Sequence, residues 1–118
     1  MQYVLLIYEN EKVWADMSEA EKGASMNGYM EFTKSAKTSG AMLGGEPLQP
    51  VATAKSVRVR NGKTVVTDGP FAETKEQLGG FYLVEAKSDA EAHEIASRIP
   101  GAKTGTIEVR PVMKIPGM

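Results

Sequence analysis

Tyr3-Val4-Leu5-Leu6-Ile7-Tyr8 is the stretch on which the fold turns. Six apolar or β-forming residues, followed by the polar run Glu9-Asn10-Glu11-Lys12, have the length and the ending of a strand. Side chains alternate across a strand, so Tyr3, Leu5 and Ile7 face one side and Val4, Leu6 and Tyr8 the other. Both sides are apolar, as expected of a strand covered twice and not of one with a wet face.

Outward from that run, Ser18-Glu19-Ala20-Glu21 has the form of a capping box and predicts a helix start, with Met26, Tyr29, Met30, Phe32 and Ala36 recurring on one broad side. Gly40 can take the left-handed conformation that ends such a helix. Ala41 to Gly45 reads as a short strand, and Pro47 and Pro50 break the pattern into a loop. Residues 57–67 are two β-rich arms joined by Asn61-Gly62, the pair suited to a type I′ turn, and predict a hairpin. Ala72 to Leu78 is polar and predicts a loop or short helical turn, after which Gly79-Gly80 releases the chain into a strand over 81–86. Ser88-Asp89-Ala90-Glu91 repeats the capping-box form ahead of Ala92, Ile95, Ala96 and Ile99, and Pro100-Gly101 stops that second helix. Residues 106–112 alternate as a last strand, Ile107 and Val109 towards the helices and Glu108 and Arg110 on the other face, with Pro111 marking a strand end or an edge.

With the hairpin set aside, the order is β-α-β-β-α-β, a ferredoxin-like α+β arrangement in which two helices cover one face of an antiparallel sheet. The other face then lacks a roof, although the first strand is apolar there, and Tyr82 and Val84 are expected to add to it from the side away from Phe81 and Leu83. Such a patch marks an interface, and self-association through one patch gives a closed two-fold dimer. The sequence therefore predicts a homodimer through the sheet face, in which two sheets meet face to face.

Composition narrows the function classes. The 118 residues suit a single domain over 1–118 that needs no covalent staples. Without Cys there is neither a disulfide nor a Cys-containing zinc site, and one His leaves a metal only carboxylate routes, so no metal and no cofactor is expected. Fourteen basic and fifteen acidic residues, interspersed to a net charge of -1, give no footprint for nucleic acid or an anionic membrane. The first run lacks a basic leader and is far too short to span a bilayer, which makes the expected compartment cytoplasmic.

Three stretches carry a resemblance: the opening run 3–8, the segment from Asp68-Gly69-Pro70-Phe71 through Glu73-Thr74-Lys75-Glu76-Gln77 to Phe81, and Ile107 to Val112. Together they resemble the YCII-related proteins of the DGPF type over nearly the whole chain. The resemblance implies a dimeric α+β barrel. It implies an enzyme, an assignment inferred from a cleft, or, because related domains are attached to sigma factors, a sensory or regulatory module. The YCII branch proper is associated with a His/Asp acid–base pair, which this chain cannot supply because it has no His near its first strand or first helix.

The candidate site residues follow. Asp68 and Glu73 are the expected general bases, though Asp before Gly-Pro also serves simply to accept backbone N–H bonds in a turn. Phe71 would form an apolar wall, and Lys75 an electrostatic partner from the most specific stretch of the resemblance. Glu108 and Arg110, charged yet facing the dimer interior, must be paired, wet or ligand-facing, and Arg110 is the expected anion donor. Tyr8 and Tyr82 could bring hydroxyls into the same space. His93 lies just off the apolar stripe of its helix and reads as a partly exposed residue; Met17, Met26, Met30 and Met42 read as core or pocket filler. Two functions remain: a cofactor-independent enzyme acting on a small organic molecule, or a ligand-binding or regulatory dimer without turnover.

Overall fold

A computed structural model describes residues 1–118. Its elements are β1 (Gln2–Glu9), α1 (Glu11–Asp16), α2 (Glu19–Thr38), β2 (Met42–Pro47), a 3₁₀ turn (Val51–Thr53), β3 (Lys55–Arg60), β4 (Lys63–Asp68), β5 (Gln77–Glu85), α3 (Asp89–Ser97), α4 (Gly101–Thr104) and β6 (Thr106–Pro111). Four strands form one sheet in the order β2-β5-β1-β6, each neighbouring pair antiparallel, while β3 and β4 pair only with each other. This is an α+β chain compatible with the ferredoxin-like plan, with the hairpin inserted between the second and third strands of the sheet.

The caps act as their residue types require. Ser18 Oγ accepts from the Glu21 N–H (3.1 Å) and Glu21 returns the bond to the Ser18 N–H (3.0 Å). That bond to the backbone holds the Glu21 carboxyl below its ordinary range. Ser88 accepts from the Glu91 N–H (3.2 Å), but the Glu91 carboxylate reaches Lys87 N–H instead of the cap itself. Gly40 follows α2 at φ 79°, and Asn61 and Gly62 take φ 52° and 74° in the hairpin turn.

The core lies on one side of the sheet. Tyr3, Leu5 and Ile7 point into it from β1, under Phe32 and Ala36 of α2 and Ala92, Ile95, Ala96 and Ile99 from the α3 segment. Ile107 and Val109 pack against the same cluster, since β6 sets Val109 opposite Leu5 and Ile107 opposite Ile7. The β5 strand differs from the sequence expectation. Its register puts Tyr82 opposite Leu5 and Val84 opposite Tyr3, so both lie under the helices, Tyr82 edge-on to Phe32 at 5.0 Å between ring centroids. Phe81 and Leu83 take the uncovered side. Alternation divides residues into two sets, but only the register against a neighbour says which set is inward.

Helix α2 also differs. Only Phe32 and Ala36 of its side chains are buried, while Met26 and Met30 are exposed. A 20-residue helix runs about 30 Å, and no side chain before Phe32 is buried. Two short helices were not expected, α1 because it buries nothing and so shows no apolar period, and α4 because it is a single turn. Residues 72–76 form no helix, and β5 begins earlier than expected, at Gln77. Gly79 is the extra residue of a bulge, as Ile7 faces Gly80 and Tyr8 faces Leu78.

Val4, Leu6 and Tyr8 of β1, with Phe81, Leu83 and Leu78 of β5, face away from the helices, each partly exposed. No element of the chain roofs them. The chain spans 47 × 47 × 19 Å with a radius of gyration of 16.3 Å, against about 13.5 Å for a compact domain of this length. No helix is long and apolar enough to cross a membrane.

Candidate functional site

The end of β1 and the segment before β5 meet, and a cleft opens where they do. Asn10 caps α1 by accepting from the Lys12 N–H (2.9 Å). The next residue, Glu11, ties three segments together: its N–H donates to Gln77 Oε1 (3.0 Å), and its carboxylate accepts from the Val51 N–H (3.0 Å). Gln77 in turn donates to the Thr74 carbonyl (2.5 Å), folding residues 74–77 back on themselves, and Thr106 donates to the Glu76 carboxylate (2.9 Å). Asn10, Glu11, Lys12, Val51, Thr74, Lys75 and Gln77 enclose a cleft of about 340 Å³. That is near the lower end of the sizes used for small ligands. The lining is polar apart from Val51, with two cations and one carboxylate. Neither Lys12 nor Lys75 makes an ion pair within the chain.

The residues singled out in the sequence are spread over five places. Lys75 lines the cleft. Asp68 is 90% exposed at the base of the hairpin, where it pairs with Lys55 directly across the strands. Glu73 and Phe71 are exposed on the segment leading to the cleft, Phe71 by 83%. Tyr8, Glu108 and Arg110 share the unroofed sheet face, and the Arg110 guanidinium is engaged by Glu108, two residues away on the same side, through Nε (2.8 Å) and a second N–H. Tyr82 lies on the opposite face, its hydroxyl 2.8 Å from Thr33 Oγ1. Tyr8 and Tyr82 therefore address different spaces.

Glu9 and Tyr29 form a second polar centre that the sequence did not announce. The Tyr29 hydroxyl donates to Glu9 Oε1 (2.7 Å), and burial together with the carboxylate pushes the phenol well above its usual value of 10.0. Gly101 packs against both: a Cβ there would sit 2.6 Å from the Glu9 oxygen and 2.6 Å from the Tyr29 hydroxyl. The constraint has no sequence signature, since it arises from three segments converging. Tyr29 is thus a proton holder, unsuited to giving up its proton near neutrality.

His93 borders a shallow groove of about 540 Å³ between α3 and β6, otherwise lined mainly by small and apolar residues such as Ala96, Ala102 and Val109. No group of three or more carboxylate or histidine side chains is placed to hold a metal ion.

The model of the YCII-related domain matches residues 1–116. An uncharacterised protein of Rhizobium meliloti (strain 1021) is 38% identical over 114 residues, covering 95% of this chain and 92% of that protein.

Proposed function

This chain belongs to the YCII-related domain family, and on that premise we propose that it works as a homodimer that binds a small organic anion in the cleft between Lys12 and Lys75. The observation that carries the reading is the pair of lysines without carboxylate partners in a cleft otherwise built of hydrogen-bonding groups. Two ammonium groups and the side chains of Asn10, Thr74 and Gln77 suit a carboxylate or phosphate group bearing a small polar body.

The dimer part rests on surface. The isolated chain exposes 8509 Å², whereas a compact monomer of its mass would expose roughly 6,200 Å². The excess, roughly 2,300 Å², is more than the roughly 800 Å² that a subunit contributes to an interface of ordinary size. Two sheets meeting through Val4, Leu6, Phe81 and Leu83 would cover part of it and close the α+β barrel.

Turnover is the second reading, favoured by one observation: Glu11 puts a carboxylate in the same cleft as the lysines. Asp68 and Glu73 do not line it. A thermal-shift screen of small carboxylates and phosphate esters tests binding, followed by mass spectrometry of the recovered compound. A bound compound at a hundred times its Kd should stabilise the fold by about 2.7 kcal/mol and come back unaltered. K12A/K75A should lose at least about tenfold in affinity, while D68N should not. Undiminished binding by K12A/K75A sinks the assignment, and a converted compound moves it to the second reading.

A further inference from the structure

The β3–β4 hairpin stands off the body. Eleven of its twelve strand residues are exposed, and only Ser56 is partly covered. Its register sorts the side chains into two unlike faces. Val57 opposite Val66, with Val59 beside them and the Lys55–Asp68 pair at the base, makes one face mainly apolar; Arg58, Arg60 and Lys63, with Val65 among them, make the other mainly cationic. The three valines are 63%, 59% and 62% exposed, respectively for Val57, Val66 and Val59. A lone two-stranded hairpin is at best marginally stable in water, and one with an unroofed row of valines has every reason to be covered.

We propose that each copy lays this hairpin, valine face down, on a second copy of the same chain. The inference rests on the homodimer described above and adds to it an arm separate from the sheet face. Two features point to a second copy as the occupant. Residues 55–68 carry four basic side chains and one acidic, leaving the rest of the chain with ten basic and fourteen acidic. A positive arm and a negative body attract between copies, which steers the arm towards a like chain. The surface excess is also larger than the roughly 800 Å² a partner contributes to an interface of ordinary size, leaving area for an arm as well as a sheet.

The test uses the full chain and three proteins. V57E/V66K removes the apolar face while keeping an opposite-charge pair across the strands, so the hairpin itself is not undermined. L6E disrupts the sheet face instead. Sedimentation velocity over a dilution series gives the dissociation constant, and hydrogen exchange read by mass spectrometry reports residues 55–68. The wild type should sediment as a dimer with slowly exchanging arm amides whose protection disappears on dilution to monomer. V57E/V66K should raise the dissociation constant by about tenfold or more with unchanged circular dichroism. Freely exchanging arm amides in a wild-type dimer, or an unchanged constant in V57E/V66K, overturn the arm and leave the sheet-face dimer standing. A wild-type monomer overturns both, and arm protection that persists in the monomer places the arm on its own body.

Discussion

The two faces of the central sheet are built from the same kinds of residue and have opposite fates. Tyr3, Leu5, Ile7, Tyr82 and Val84 are sealed beneath the helices, whereas Val4, Leu6, Phe81 and Leu83, one residue along in each case, are left partly exposed. Composition therefore does not distinguish a core from an open face; topology does. Each face also has its own polar pair, Tyr29 with Glu9 on the covered side and Glu108 with Arg110 on the open side.

The sharpest way to separate the faces is to cut into each. Leu5 is fully buried, so L5A should cost about 3 kcal/mol of folding free energy in urea denaturation, whatever the protein concentration. On the other side of the strand, L6E should leave the subunit folded but remove about 2 kcal/mol or more of association free energy, seen as a shift towards monomer on sedimentation. If L6E behaves like L5A, with a concentration-independent loss of folding, the faces are not different in kind.

The smallest effect concerns the polar pair of the covered side. Y29F deletes a hydrogen bond to a carboxylate in a half-buried place and should cost about 1 kcal/mol at neutral pH. The folded-state pKa of Tyr29 is raised above its value of 10.0, so its contribution is complete below pH 10 and is lost as pH rises through the folded value. Wild-type stability should therefore fall towards that of Y29F above pH 10. Parallel curves throughout that window would remove Tyr29 from the account.

Much of the fold was legible because the responsible physics is local. Asn61-Gly62 specifies a turn by its backbone freedom, and Ser18 with Glu21 specifies a helix start by reciprocal hydrogen bonds, neither needing the rest of the chain. The inward side of β5 was not legible, because both its faces are apolar and the choice is made by pairing with β1. The cleft was legible only in part. Lys75 lies in a distinctive stretch, but Asn10, Glu11, Lys12 and Val51 become neighbours through bonds that join residues forty and sixty-six positions apart. Asn10 did carry a capping signal, hidden because the helix it starts has no buried side.

Only Gly69 to Glu73 separate Asp68, the last residue of the hairpin, from Thr74 in the cleft wall. On the proposed arm and the proposed ligand, grip and occupancy would sit in series on one strip of backbone. A compound that stiffens the strip would tighten the embrace between copies, and by thermodynamic reciprocity the embrace would tighten hold of the compound by the same factor. Abundance of the protein would then set its sensitivity, with a crowded population responding to traces that a sparse one ignores.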